Sequence, residues 1–183
     1  TPTLSSAASD VYKRQSYSLI RTHAIKRALL LLFIGWALYC IGPGRITFRF
    51  QNVLAQLSVT YIIAFFMMQK KARTQILVSL SLLALTEIIY RTFPVAGFDQ
   101  PFLPGQSFGA WFDITLFGEA SSGHWASFNA IPTTAHTIWG VLAGQVLMNR
   151  DDTELKKIRT LVIAGIIGLV IGYGLGPITP IIK

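Results

Sequence analysis

The chain has 183 residues, of which 52% are hydrophobic and 13% charged, with a mean hydropathy of +0.51. Soluble domains carry about 25% charged residues, so this deficit and the long uncharged runs place the chain in the membrane class. The net charge of +8 does not point to nucleic acid, because the bases flank apolar runs and form no basic face with interleaved aromatics.

Residues 1–15 are small, polar and unpatterned, with no apolar core of a signal peptide. The run SSAASDVYKRQ reads as a translated sequencing adapter, with a disordered tail as the alternative, and the natural start is then expected upstream. Residues 16–27 are basic, through Arg21, Lys26 and Arg27, and His23 there is expected to be solvated. The first apolar run covers 28–42 and stops at Gly42-Pro43-Gly44, a helix-ending signal. Trp36 and Tyr39 near its end suit a membrane interface. Cys40, the single cysteine, reads as a small core residue and excludes both an internal disulfide and a thiolate metal site.

The second span is expected over 52–69, with Asn52, Gln56 and Thr60 in a row at four-residue spacing, closed by Lys70, Lys71 and Arg73. The third covers 74–90, and Glu87 in its last turn reads as a snorkelling group at the interface. Residues 93–123 differ in kind, carrying Pro94, Pro101 and Pro104, several glycines and seven of the aromatics. Loops of this length without function or structure are uncommon, and aromatic content argues against disorder. A folded extramembrane or re-entrant segment is expected, with a short helix over 108–117.

The fourth span, 128–148, lies in a stretch from 120 to 149 with no Asp, Glu, Lys or Arg. Asn129, Thr133, His136, Gly140 and Gly144 fall on one face of it. Such a stripe is costly against lipid, and is expected to face other helices or a wet cavity. Residues 149–159 form a polar turn. The fifth span, 160–178, carries Gly165, Gly168, Gly172 and Gly176, spacing that favours close approach of another helix. The expectation is an all-α, polytopic transmembrane helix bundle of about five spans, forming a partial domain over 16–183. With the N-terminus in the cytoplasm, twelve Lys and Arg fall inside and four outside, which puts 93–123 on the extracytoplasmic side.

Candidate site residues gather at the loop side. His124 follows a glycine-rich stretch beside Trp125, and is either a general base or substrate contact or an interfacial histidine. His136, deeper in the span, is either functional or a helix–helix hydrogen-bonding group. Asp113, in WFDITLFG, could orient a histidine, hold a sugar hydroxyl or cap a helix. Arg49 could pair with Asp113 or Glu119, or bind an anionic group. No phosphate-binding loop, nucleophile elbow, paired-carboxylate motif or metal-ligand cluster is present in the sequence.

Three blocks carry a resemblance. RFQNVLAQLSVTY, 49–61, is similar to an Arg-x-Pro-Gly-Val-Leu-Gln-Arg-x-x-x-x-Tyr block. WFDITLFG, 111–118, is similar to Tyr-Ile-Asp-Arg-x-Leu-Leu-Gly. FNAIPTTAHTIWGVLAG, 128–144, is similar to a Leu-Gly-Thr-Ile-Pro block that ends in Leu-Gly-x-x-Ala-Gly. Together they resemble the heparan-α-glucosaminide N-acetyltransferase family of multi-pass membrane acyltransferases, and its bacterial branch more closely. The resemblance implies a protein of the bacterial cytoplasmic membrane, in contact with lipid. It implies acetyl transfer from acetyl-CoA, as co-substrate, to a sugar amine or hydroxyl, with no metal. Arg49, Gln56 and Asn129 would then support the substrate or the oxyanion.

The chain departs from the pattern at Ala55-Gln56, where the family has Gln-Arg, and at 123–126, where it has Asp-Pro-Glu-Gly. The family's opening Asp-x-x-Arg-Gly helix and its histidine-bearing loop have no counterpart, so no catalytic base is assigned and this stretch alone is expected to insert but transfer nothing. The competing class is a transporter or non-catalytic scaffold, in which the polar stripe would line a path. Assembly into a homo-oligomer is open.

Overall fold

The computed structural model describes residues 4–42, 44–120 and 125–179, with side chains from Tyr17 onward. The described residues contain helices and no strands, as the apolar spacing predicts. Helix α1 covers Leu4–Ile41, α2 Val53–Met67, α3 Ala72–Thr92, α4 Phe108–Phe117, α5 Ala130–Met148 and α6 Glu154–Leu175, with a 3-10 turn at Ser127–Asn129 leading into α5.

Local chemistry sets four of the ends. Asn52 caps α2, its side-chain carbonyl accepting from the Ala55 N–H at 3.0 Å. Helix α3 stops at Phe93, in extended conformation, because Pro94 follows it. Gly118 ends α4 in the left-handed region at φ 80°. Thr153 caps α6 by accepting from the Lys156 N–H.

Three helical segments are long and apolar enough to cross a membrane: Tyr17–Ile41, Ala72–Thr92 and Glu154–Leu175. The five-span expectation holds approximately. Helix α2, with 15 residues, reaches about 22 Å, and α5 is long enough but polar along one face. The first span extends well before residue 28, within the same helix as the basic leader. The last starts earlier than residue 160. Thr153 and the Asp152–Lys156 pair nucleate α6 inside what reads as a polar turn, so Lys156, Lys157 and Arg159 are helical. Helix α4 occupies the range expected within the long loop.

The helices pack in the order α1–α2–α5–α3, with α4 lying against the 3-10 turn and α3, and α6 touching α5. The interfaces are lined with small and polar residues. Ala24, Ala28, Ala55, Ala64, Ala130 and Ala135 are buried, together with Thr60, Gln75, Ser79 and Thr134, while Leu29, Phe33, Leu77, Leu80, Ile166 and Val170 are exposed. That inversion suits helices whose surroundings are lipid, where small residues permit close backbone approach and polar groups hydrogen-bond between helices. At Gly35 the approach of α1 to α2 is so close that a Cβ would fall 2.5 Å from Asn52 Oδ1.

The α3–α5 contact is a ladder of three side-chain hydrogen bonds. Gln75 Nε2 donates to Gln145 Oε1 at 3.3 Å, Trp139 Nε1 to Ser79 Oγ at 2.9 Å, and Tyr90 Oη to Asn129 Oδ1 at 3.2 Å. Trp36 and Tyr39 clamp the segment after α1, donating to the Thr47 and Gln51 carbonyls at 2.8 and 2.7 Å.

Candidate functional site: a cavity between α2, α3 and α5

At the loop end, α2, α3, α5 and the segment after α6 enclose a cavity of about 1100 Å³, the size of a large ligand pocket. Gln56, Tyr90, Asn129, Thr133 and His136 form its polar wall, and Leu83, Ala84, Pro132 and Leu175 part of its apolar one. The stripe on α5 therefore faces a cavity over its first two turns. Further along, Gly140 and Gly144 have open space where a Cβ would stand.

Two amides organise the polar wall. Gln56 Nε2 donates to the Asn129 main-chain carbonyl at 3.2 Å and to Thr133 Oγ1 at 2.6 Å, joining α2 to the start of α5. Tyr90, buried to 7% exposure, holds Asn129 from α3. Its ring rests against Phe108 and Phe128, at 5.7 and 6.2 Å between centroids. Phe93, Trp111 and Phe112 complete this aromatic group. Four of the long loop's aromatics, Phe93, Phe108, Trp111 and Phe112, thus pack around Tyr90 and Phe128, so this part of the loop is folded, as its aromatic content predicts. His136 is exposed and lies edge-on to Trp139 at 5.2 Å. It makes no hydrogen bond to another described residue.

The remaining candidates are placed elsewhere. Asp113 is buried in α4 at 1% exposure. Both its oxygens accept from the Ser127 N–H, at 3.1 and 3.2 Å, which ties α4 to the 3-10 turn. Burial raises its pKa above the ordinary carboxylate value, against the lowering effect of Ser127 and of the Gln51 amide. Arg49 pairs with Glu119 at the rim, and Gln51 Nε2 donates to the Glu119 carbonyl at 2.7 Å. These groups pin the loop to the start of α2 and do not line the large cavity. His124 lies outside the described residues.

Glu87 is a correction. It lines the cavity and accepts from Arg91 Nε and, at 2.9 Å, from Thr179 Oγ1, so it is a paired group and not a lone snorkelling one. Arg91 also donates to the Ile178 carbonyl at 2.7 Å and lies 4.8 Å over the Phe102 ring. Tyr90 and Arg91 are the wall residues that reading the sequence alone does not single out. Their one signal is position, three and four residues after Glu87 on the same span.

A second, smaller cavity of about 350 Å³ lies between α1, α2, α4 and the 3-10 turn, and shares Gln56 and Trp125 with the first. Among the described residues no group of three or more His, Cys, Asp or Glu could hold a metal ion. Comparison of the chain with protein-family models, with curated proteins and with solved structures returns no match.

Proposed function

We propose that this chain is an integral membrane acyltransferase, or part of one, similar to the glucosaminide N-acetyltransferases, and that the large cavity receives the acyl acceptor. The observation that carries the reading is one of convergence. Gln56, named from the second span, and Asn129 and His136, named from the polar face of the fourth, line one cavity. A wall of amides, hydroxyls and an imidazole is the surface on which a sugar is held, by several neutral hydrogen bonds over apolar flanks. Acetyl-CoA is the donor that the resemblance implies, the bacterial cytoplasmic membrane the location, and a sugar the acceptor. In this reading His136 contacts the acceptor, and the catalytic base is unassigned.

The test uses membranes carrying the product of the complete reading frame, incubated with labelled acetyl-CoA and a panel of neutral and amino sugars. Transfer is expected, lowered about tenfold by Asn129→Ala or His136→Ala, the loss of about 1.4 kcal/mol of transition-state binding. Gly140→Ala, on the same helix but in open space, should leave the rate unchanged. Absence of transfer, or rates insensitive to both cavity variants, would reject the reading.

A further inference from the structure

The hydrogen bonds on the large cavity's wall leave a fixed pattern of free donors and acceptors. A main-chain carbonyl can only accept, so the bond from Gln56 Nε2 to the Asn129 carbonyl sets which way the Gln56 amide faces. With its second bond to Thr133 Oγ1, that nitrogen is fully used, and Oε1 is left as an acceptor.

Asn129 is the complementary group. It occupies the N-cap position of α5, yet its side chain makes no cap bond, although asparagine there ordinarily caps. Its Oδ1 is held instead by the Tyr90 hydroxyl. Asn129 Nδ2 keeps its donor hydrogens, with no partner among the described residues. The charged side chains on this wall are Glu87 and Arg91, and they neutralise each other.

We infer that the cavity selects an uncharged, hydroxyl-bearing head group, read by Asn129 as donor and Gln56 as acceptor, with Tyr90 as the positioning residue. A hydroxyl both donates and accepts, so it suits the pair. An ammonium group only donates and a carboxylate only accepts, so each leaves one amide unmatched, and neither finds a free counter-charge. The inference rests on the cavity being a binding site, as proposed above, and narrows its ligand to neutral sugars over amino sugars and uronic acids.

The experiment is equilibrium dialysis of the full chain in lipid nanodiscs against labelled D-glucose, D-glucosamine and D-glucuronate, three sugars of one ring size and different charge. D-glucose is expected to bind on the order of tenfold more tightly than either charged analogue. Asn129→Asp, which puts a carboxylate in place of the donor, should move the preference to D-glucosamine. Tyr90→Phe, which frees the Asn129 amide to turn over, should reduce the advantage of D-glucose. Thermal unfolding of both variants shows that they remain folded.

Equal affinities for the three sugars, an order of preference that survives both variants, or failure of the native chain to bind D-glucose at millimolar concentration would overturn the inference. Acetyl transfer that prefers an amino sugar would overturn it while leaving the acyltransferase reading in place. Binding selective for D-glucose with no acetyl transfer would do the reverse.

Discussion

Asp113 shows how a single residue can join two elements. Its carboxylate sits at the start of the 3-10 turn and accepts the Ser127 N–H with both oxygens, a favourable place for negative charge. Burial nonetheless outweighs these bonds and raises its pKa above 3.8. A carboxyl whose folded-state pKa is raised holds its proton more tightly when folded. It therefore stabilises the fold fully below the unfolded value, and that contribution is lost as pH rises through the folded value. Asp113→Asn keeps an acceptor for Ser127 without the charge. The variant should lose less stability than the native chain as pH rises from about 4 towards neutrality. Thermal unfolding of both proteins across that range measures the difference, and parallel pH profiles would show that Asp113 is not the responsible group.

At the level of elements, the docking of α4 depends on Gly109. A Cβ there would collide with the Tyr90 hydroxyl and with Ala126 Cβ, so the helix can lie against α3 only with no side chain at this point. Gly109→Ala should destabilise the protein by about 1–3 kcal/mol, as overpacking does, and should disturb the Tyr90–Asn129 bond with it. Gly140→Ala, where the new methyl meets nothing, should be neutral or stabilising by about 0.5–1 kcal/mol. Denaturant titration of the two variants against the native chain gives the comparison, and equal effects would mean that α4 does not rest on α3 as described. Helix α4 itself, Phe108–Phe117, was legible in the sequence from its aromatic content between prolines and glycines. Its seat was not, because a glycine in sequence does not reveal which neighbour occupies the missing side chain's place.

For the whole molecule, the distribution of residues is inverted relative to a soluble domain. Alanines, serines and threonines lie between helices while leucines and isoleucines face outward. Helix α6 carries this furthest. The apolar window within it has no buried residue, and a Cβ at Gly165, Gly168 or Gly172 would meet nothing. The glycine face expected to pack on a neighbour therefore finds none among the described residues. The distribution of basic residues, twelve on one side and four on the other, predicts the orientation of the whole. A reporter fused at Gln100 should be extracytoplasmic and one at Asp152 cytoplasmic. Both on one side of the membrane would reject an odd number of crossings between them.

The sequence by itself determined the helical class, the approximate spans, the loop helix and the polar stripe on α5. Each follows from periodicity or from a local signal such as the prolines and glycines of 93–123 or the charge-free run of 120–149, and these act within a few residues along the chain. Polarity inside an apolar span also marked Gln56, Asn129 and His136, because such groups are costly unless they meet a partner or a cavity. Only the tertiary structure decided which of these readings applied. It separated Asp113 and Arg49, which secure the loop, from Gln56, Asn129 and His136, which line the cavity. It also brought Glu87, Tyr90 and Arg91 into the cavity wall. The reason is physical: a polar side chain is satisfied by whatever lies across from it, and Tyr90 meets Asn129 across 39 residues of chain, a separation over which no sequence spacing carries information.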